Sequence, residues 1–370
     1  MPELVAIDLP GGPGFVDALR RAWDRGDAVL PLDQRLSAGA RAGVVSRLRP
    51  AAVAGEGGES RLEGGMPVEP GDALVMATSG TTGAAKGVVL TNAAVGASAR
   101  ATSKRLGVDP TRHRWLGCLP LSHVGGLSVL TRSLLTGTPC TVLPSFDAGR
   151  VLEESGPDVL VSLVPTALRR VGAGCFHTVV LGGSAVPAGL PANVVTTYGL
   201  TETGSGVVYD GVALDGVEVA IDPGTSEILL RGPMLLRAYR DGTCPLDGDG
   251  WFPTGDAGSI DGDGRLAVDG RLGDLIVTGG ENVWPAPVEA ALRRHARVAE
   301  VAVAGRPDPE WGERVVAWVV PTDPADPPAL DELRALVAEA VAPFAAPKEV
   351  VTVEALPRTA IGKVRRDALP

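Results

Sequence analysis

A loop rich in threonine and glycine is the first segment of this chain whose residue types and spacing suggest chemistry. The string TSGTTGAAKG occupies residues 78–87, between two short apolar stretches. Backbone N–H groups of a glycine-rich loop, together with hydroxyl groups, can surround the oxygens of a phosphate. The P-loop of nucleoside triphosphatases has Ser or Thr after its lysine, whereas Lys86 is followed by Gly87. The string therefore predicts a phosphate-binding loop of a different kind, or else a flexible surface loop.

Four further strings carry polar residues in motif-like settings. They are YGLTET at 198–203, WFPTGD at 251–256, GRLGDLI at 270–276 and PRTAIGKVRR at 357–366. Together with the loop, and in the same order, they resemble the motifs of the adenylate-forming superfamily of acyl-CoA synthetases, luciferases and peptide-synthetase adenylation domains. The resemblance implies that a carboxylate displaces pyrophosphate from ATP to give an acyl-adenylate, which the thiol of coenzyme A then attacks.

The resemblance also implies which residues would bind ATP. Those that would hold the departing pyrophosphate are Thr78, Ser79, Gly80, Thr81, Thr82, Gly83 and Lys86. Tyr198, followed by Gly199, would lie against the adenine. Asp256 would accept hydrogen bonds from both ribose hydroxyls, which suits a carboxylate, and Arg271 would contact ribose or phosphate. Asp256 is expected at a turn, so its replacement should weaken ATP binding and leave the fold intact.

Three residues would act on the phosphates and the metal. Thr201 would hydrogen-bond the α-phosphate, and Glu202 would bind Mg²⁺, a hard ion that suits carboxylate and phosphate oxygens. Lys363 would place an ammonium group beside the negative charge that develops on the α-phosphate and the bridging oxygen, which stabilises the transition state selectively. The alternatives are a Glu202 that caps a helix and a Lys363 that is a solvated surface residue; for Lys86 of the loop the alternative is a solvated lysine.

The resemblance further implies a movement between the two half-reactions. The hinge would lie at 272–274, where many relatives carry Asp or Lys at the position of Gly273, and glycine permits wide changes of φ and ψ. After adenylation the C-terminal domain would withdraw Lys363. It would then bring Gly279 and Gly280 to the path of the pantetheine arm of coenzyme A.

The segment LPLSHVGGLSVLTRSLLTG at 119–137 bears on the acid that is activated. It is similar to the corresponding segment of o-succinylbenzoate–CoA ligases, which implies an acid with a second carboxylate. The residues that would contact this acid are His123, Ser162, Gly183 and Ser184. His123 would gate the pocket as a catalytic residue, and Arg132 is either a donor to the second carboxylate or a solvated helix residue. A ligase for another aromatic or short-chain acid is the alternative.

Short apolar runs alternate with helical patterns between residues 73 and 220. The run at 159–163, for example, predicts a strand, and the pattern at 165–171 predicts a helix. Such alternation is typical of parallel sheets covered by helices.

The last third of the chain has a different pattern. Glycine–aspartate turns at 241–273 predict a small antiparallel β unit, and the residues beyond it predict helices and strands in mixed order. We therefore predict an α/β protein with a large N-terminal domain at 1–272, built of mixed, mostly parallel sheets, helices and the small β unit. A small mobile α+β C-terminal domain would occupy 273–370.

Composition limits the partners. The chain has 370 residues, a net charge of −10 and a pI near 5.0, so a basic face for nucleic acid or a membrane surface is not expected. The four cysteines are far apart and match neither a zinc site nor a disulfide framework. The first residues lack the apolar core of a signal peptide. We expect a cytoplasmic enzyme that binds small molecules, without nucleic acid or membrane insertion; a homodimer is compatible with the sequence.

Two other classes of function fit the sequence less well. A P-loop phosphotransferase would need Ser or Thr after the lysine of the loop, and Gly87 stands there instead. A non-catalytic nucleotide-binding relative would be expected to lose Lys363 or Glu202, and both are present. The sequence therefore favours a ligase that uses ATP, Mg²⁺ and coenzyme A.

Overall fold

The fold is that of a computed structural model, which describes residues 1–79, 85–183, 189–358 and 364–370. The strands are β1 (Leu4–Ile7), β2 (Ala28–Pro31), β3 (Ala52–Gly55), β4 (Gly58–Arg61), β5 (Asp72–Ser79), β6 (Ala85–Thr91), β7 (Arg114–Gly117), β8 (Cys140–Val142), β9 (Gly156–Leu163), β10 (Phe176–Leu181), β11 (Val194–Leu200), β12 (Ser205–Tyr209), β13 (Val212–Ala213), β14 (Glu218–Ile221), β15 (Glu227–Arg231), β16 (Ala238–Tyr239), β17 (Phe252–Ile260), β18 (Leu266–Arg271), β19 (Ile276–Thr278), β20 (Glu281–Val283), β21 (Val298–Asp308), β22 (Gly312–Pro321) and β23 (Glu349–Thr352). The helices are α1 (Pro13–Asp24), α2 (Ala38–Leu48), α3 (Asn92–Arg105), α4 (Val124–Thr136), α5 (Ala148–Glu153), α6 (Pro165–Val171), α7 (Pro285–Leu292) and α8 (Leu330–Ala340).

The first sheet has the strand order β16-β6-β5-β2-β1-β3-β4 within the described residues. Its centre is parallel, since β1 pairs in parallel with β2 and β3, and β2 with β5. Its edges are antiparallel, because β6 pairs antiparallel with β5 and β16, and β4 with β3. Helix α1 buries Phe15, Ala18, Leu19 and Ala22, which recur at helical spacing along one face.

The second sheet has the order β13-β12-β11-β10-β9-β7-β8 within the same residues. Strands β8, β7, β9, β10 and β11 form parallel pairs, and β12 and β13 extend the sheet as antiparallel neighbours. Helix α6 begins with Pro165, whose fixed φ suits the first turn of a helix, and ends at Val171, just before Gly172. The predicted parallel sheets covered by helices are thus confirmed.

Two smaller sheets follow. One has the order β14-β15-β17-β18 and lies where a small β unit is predicted. The other has the order β20-β19-β22-β21, with β23 paired in parallel to β22. Helices α7 and α8 cover it, and the core contains Val288, Leu292, Leu333 and Val337, each fully buried.

The chain divides into two compact units. Unit 1 comprises Met1–Ala220, Leu229–Pro253 and Gly262–Leu266. Unit 2 comprises Ile221–Ile228, Thr254–Asp261 and Ala267–Pro370. The predicted α/β architecture, with its small C-terminal part, is confirmed; the boundary at 272/273 remains a prediction, because the two units do not follow a single cut in the sequence.

Candidate active site

The stems of the phosphate-loop string are a β-hairpin. Strands β5 and β6 pair antiparallel, and their register places Thr78 opposite Lys86 and Ala77 opposite Gly87. Gly87 has no room for a side chain, since an added Cβ would lie 2.8 Å from Cβ of Arg240 and 2.9 Å from Leu48 Cδ2. The predicted Gly80, Thr81, Thr82 and Gly83 lie outside the described residues, and the side chain of Ser79 is not described.

The carboxyl ends of three parallel strands bring predicted site residues to one edge of the second sheet. The register pairs Ser162 of β9 with Val180 of β10, and Leu181 of β10 with Thr196 of β11. Ser162 is buried, and Gly183, just after β10, has φ +87°, a conformation that favours glycine. Ligands of open α/β sheets bind outside such carboxyl ends. Ser184 lies outside the described residues.

The string YGLTET ends β11 and continues in a 3-10 turn at Thr201–Thr203. Tyr198 and Gly199 belong to the strand, and a Cβ on Gly199 would lie 2.3 Å from the carbonyl oxygen of Ser205. The hydroxyl of Thr203 accepts a hydrogen bond from Leu200 N–H at 2.9 Å and fixes the turn. Thr201 and Glu202 therefore stand at the same edge as Ser162.

Glu202 has a contact that the sequence did not suggest. The hydroxyl of Tyr239 donates a hydrogen bond to Glu202 Oε1 at 3.1 Å. Burial raises the pKa of Tyr239, and the charge of Glu202 raises it further, so the phenol keeps its proton at neutral pH. The side chain of Glu202 is therefore held by a neutral donor, and its role as a helix cap finds no support here.

Asp256 is not at a turn, and that expectation is wrong. It lies within β17 and is only 6% exposed. Arg271 Nε lies 2.9 Å from Asp256 Oδ1, and Arg271 Nη1 donates to the carbonyl oxygen of Thr254 at 3.0 Å. Two residues predicted to bind the nucleotide are thus paired with each other. Replacement of Asp256 would also remove a buried ion-pair partner, so it cannot be expected to leave the fold untouched.

His123 precedes the first turn of α4 and has two charged neighbours from the N-terminal region. Its Nε2 lies 3.3 Å from Asp33 Oδ2 and 2.7 Å from Arg35 Nη2. Burial opposes ionisation of Asp33, but hydrogen bonds from Arg35 outweigh it and lower the pKa of Asp33 to about 2. The imidazole therefore sits against a permanent ion pair.

Arg132 lies on α4 and is buried, so the alternative of a solvated helix residue is wrong. Its Nη2 donates to Ser205 Oγ, and its guanidinium lies 5.3 Å from the centre of the Trp115 ring. Burial lowers the pKa of Arg132. Its Nε and Nη1 have no hydrogen-bond partner among the described residues, and neither does the Nε1 of Trp115.

A small cavity adjoins this arginine. Its volume is about 10 Å³, which is room for a single water molecule. Ser128, Thr131 and Gly204 contribute to its wall beside apolar side chains. A buried guanidinium is energetically costly unless acceptors reach its N–H groups. A water molecule or an anionic oxygen at this position would be such an acceptor.

Gly279 and Gly280 form the two-residue turn between β19 and β20. The register pairs Thr278 with Glu281, and both glycines have positive φ, +61° and +85°. A two-residue hairpin of this kind needs positive φ at both central positions, which explains the Gly-Gly pair. A Cβ on Gly279 would also lie 2.7 Å from the ring of Trp311.

Arg366, three residues after Lys363, has a structural role that the sequence did not reveal. Its Nη1 donates to Asp274 Oδ2 at 2.9 Å, and its Nη2 donates to Glu289 Oε1 at 2.6 Å. Glu289 is buried and also accepts the N–H of Val303 at 3.0 Å. Arg366 thus ties the turn at Leu272–Asp274, where the hinge is predicted, to the core of unit 2.

Replacement of Arg366 by alanine should lower the free energy of unfolding by about 1–3 kcal/mol, because it leaves a buried carboxylate short of a donor. Urea denaturation followed by circular dichroism would measure this. The matched control is Arg293→Ala: Arg293 binds the same carboxylate at 3.0 Å but is about half exposed, so about 0–1 kcal/mol is expected. Equal losses in both variants would contradict a special role for Arg366.

Lys363 itself lies outside the described residues. The residues on either side of its segment are paired, since Arg358 and Val364 form an antiparallel bridge and Arg365 N–H donates to Pro357 O at 2.8 Å. In the ranges that the structure covers, no helix is long and apolar enough to span a membrane. The same ranges contain no group of three or more potential metal-ligating side chains.

Two solved structures and two curated relatives illustrate what this chain resembles. The o-succinylbenzoate CoA synthetase of Bacillus subtilis, in complex with the acyl-adenylate OSB-AMP, matches with a TM-score of 0.86 and 27% identity over 99% of this chain and 87% of that one. The same enzyme in complex with ATP and magnesium gives a TM-score of 0.85. The probable 2-succinylbenzoate–CoA ligase of Mycobacterium tuberculosis is 39% identical over 83% of this chain and 86% of its own. The indoleacetate–CoA ligase of Aromatoleum aromaticum is 38% identical over 80% and 66%.

Family models match both parts of the chain. The model described as AMP-binding enzyme matches residues 24–239, and the model described as AMP-binding enzyme C-terminal domain matches residues 287–363. The first of these alone covers more than half of the sequence and includes the loop at 78–87 and the string at 198–203. This chain belongs to the family of AMP-binding, adenylate-forming enzymes.

Proposed function

We propose that this chain is an AMP-forming acid–thiol ligase that converts o-succinylbenzoate to its coenzyme A thioester. The observation that carries the proposal is the likeness to 2-succinylbenzoate–CoA ligases, which extends over most of the chain in both sequence and fold. The motif strings at 78–87, 198–203 and 357–366 support the adenylating chemistry.

The reaction would proceed in two steps. In the first, a carboxylate oxygen of the acid attacks the α-phosphorus of ATP, and the bond to the bridging oxygen breaks as pyrophosphate leaves. In the second, the sulfur of coenzyme A attacks the acyl carbon, and the bond to AMP breaks while the thiol loses its proton. The products are the thioester, AMP and pyrophosphate.

We assign the nucleotide contacts as follows. The loop from Thr78 to Lys86 would hold the pyrophosphate, Tyr198 would lie against adenine, and Thr201 would donate to the α-phosphate. Mg²⁺, bound to Glu202 and phosphate oxygens, would neutralise charge on the leaving group. Of the described residues, Thr78 stands on β5, Lys86 on β6 and Tyr198 on β11, and Thr201 and Glu202 lie in the 3-10 turn that follows β11.

The other assignments concern the ribose, the C-terminal residues and the acid. Asp256 would accept hydrogen bonds from the ribose hydroxyls while Arg271 holds the Asp256 carboxylate. Lys363 would stabilise the transition state of adenylation. Gly279 would line the pantetheine path in the second step. His123 would close the acid pocket, which Ser162, Gly183 and Ser184 would line.

Arg132 is our candidate for recognition of the second carboxylate. Arg132 is buried, its Nε and Nη1 have no acceptor among the described residues, and it lies on the helix that begins after His123; these observations support the assignment. Arginine binds carboxylates through two parallel N–H donors, which gives geometric specificity. A water molecule in the small cavity is the competing explanation for the unused donors.

A competition assay tests the choice of acid. With o-succinylbenzoate, benzoate and octanoate at equal concentrations, we expect nearly all the thioester formed to be o-succinylbenzoyl-CoA, resolved by chromatography. A pocket built to pair with a second carboxylate leaves its donor unpaired when a plain acid binds, and such losses discriminate strongly. Preferential formation of benzoyl- or octanoyl-CoA would overturn the acid assignment and leave the adenylating mechanism in place.

A second candidate is a ligase for another aromatic acid. The likeness to the indoleacetate–CoA ligase favours it, because the sequence identity is almost the same as that to the 2-succinylbenzoate–CoA ligases. Indoleacetate has a single carboxylate, so it would not need Arg132. Addition of indoleacetate to the competition assay distinguishes the two candidates.

We also propose a cytoplasmic location. The described cysteines have free thiols, and burial raises the pKa of Cys118 to about 12, which suits an unreactive core residue in a reducing compartment. Cell fractionation would test the location.

The homodimer remains a prediction, for which sedimentation velocity is the direct measurement.

A further inference from the structure

The backbone around Tyr239 is held close to the strand that leaves the phosphate loop. Tyr239 pairs with Val88 across β16 and β6, and Arg240 N–H donates to the carbonyl oxygen of Gly87 at 2.7 Å. The missing side chain of Gly87 permits this close approach. Tyr239 is therefore fixed to the segment that carries Lys86.

The side chain of Tyr239 contacts two charged residues of the proposed site. Its hydroxyl donates to Glu202 Oε1 at 3.1 Å, and Lys86 Nζ lies 5.0 Å from the centre of its ring, within the range of a cation–π interaction. The same segment holds the backbone of Glu202, because Leu236 N–H donates to the carbonyl oxygen of Glu202 at 2.7 Å. Both the backbone and the carboxylate of Glu202 are thus positioned from 236–239.

The remaining oxygen of Glu202 suits a magnesium ion. Within the described residues Oε2 has no hydrogen-bond partner, and the residue is partly exposed. Mg²⁺ is usually held by one or two carboxylates plus substrate phosphates and water, rather than by a cage of protein ligands. A single carboxylate, oriented by Tyr239 beside the strand that carries Lys86, fits that pattern.

We propose that Tyr239 is the positioning residue that orients the Glu202 carboxylate for the magnesium ion of MgATP and links it to the phosphate loop through Lys86. The inference rests on the proposed function. Hydrogen bonds to a metal-binding side chain fix its orientation, and their loss typically lowers metal affinity or activity about 10- to 100-fold.

Tyr239→Phe tests the proposal, because it removes one hydroxyl and keeps the ring against Lys86. Calorimetric titration with ATP, in the presence and absence of Mg²⁺ and without any acid, should show MgATP binding weakened about tenfold and metal-free ATP binding nearly unchanged. The matched control is Tyr209→Phe, which removes a buried hydroxyl 3.3 Å from Thr102 Oγ1. It should leave the Mg²⁺ dependence at the wild-type level.

Three results would overturn the proposal: an unchanged MgATP affinity in Tyr239→Phe, equal weakening with and without Mg²⁺, or the same effect in Tyr209→Phe. Glu202→Gln provides a second measurement, since its effect on the Mg²⁺ dependence should not add to that of Tyr239→Phe; additive effects would contradict the positioning role.

If Tyr239→Phe does not fold, 3-fluorotyrosine in the unsubstituted protein gives three ¹⁹F signals for its three tyrosines. These can be assigned with Tyr198→Phe and Tyr209→Phe. The Tyr239 signal should shift when Mg²⁺ joins ATP, and an unshifted signal would count against the proposal. None of these measurements needs the acid, so a wrong acid assignment would leave their outcome unaffected.

Discussion

Lys363→Ala is expected to slow formation of the acyl-adenylate by roughly 100- to 1000-fold, the range seen when one group that stabilises a transition-state charge is removed. Attack of coenzyme A on preformed adenylate should change far less. The reason is that the ammonium group would face charge that develops only while pyrophosphate leaves. The adenylation step can be followed by pyrophosphate release, and the second step by thioester formation from synthetic adenylate.

Arg365→Ala is the matched control for this prediction. Arg365 is two residues away and exposed, and it forms an ion pair with Asp367 at 2.9 Å, so its loss removes a cation from the same segment. The adenylation rate of Arg365→Ala should stay near that of the unsubstituted protein. Equal slowing of both half-reactions by Lys363→Ala would show that the lysine does not act selectively in the first step.

Arg132→Met should lower kcat/KM for o-succinylbenzoate by roughly 30-fold to several thousand-fold, which corresponds to about 2–5 kcal/mol for removal of one partner from a buried charge pair. Activity with an acid that has a single carboxylate should change little, because such an acid has no second carboxylate to bind the guanidinium. Methionine keeps much of the apolar volume beside Trp115. The measurement is kcat/KM for both acids with each variant.

The control here is Arg170→Met. Arg170 also lies over an aromatic ring, 5.0 Å from the centre of Phe146, but it is exposed. It should leave both values of kcat/KM unchanged. If Arg132→Met lowered kcat/KM for the two acids by the same factor, Arg132 would be a structural residue whose Nε and Nη1 donate to water.

Much of the local structure follows from the sequence because it depends on near neighbours along the chain. The helix predicted at 165–171 has those bounds, and the apolar residues of α1 face one side as their spacing requires. Parallel sheets follow from the alternation of strands and helices. The motif strings predict nucleotide-binding residues in the same way, since each is a short run with a characteristic order; these assignments stay predictions.

The contacts that refine the candidate site depend on strand order, which no short pattern contains. Tyr239 meets Glu202 across 37 residues because β16 joins the first sheet beside β6. Arg132 meets Ser205 across 73 residues, and Arg366 meets Asp274 across 92. Asp256 is buried in a strand, although its glycine- and aspartate-rich surroundings predict a turn. By itself the sequence determined the family, the order of motifs and the α/β class, with elements such as the helix at 165–171. Tertiary structure decided which charges are buried and paired. A side chain becomes buried only when elements that are distant in the sequence pack over it.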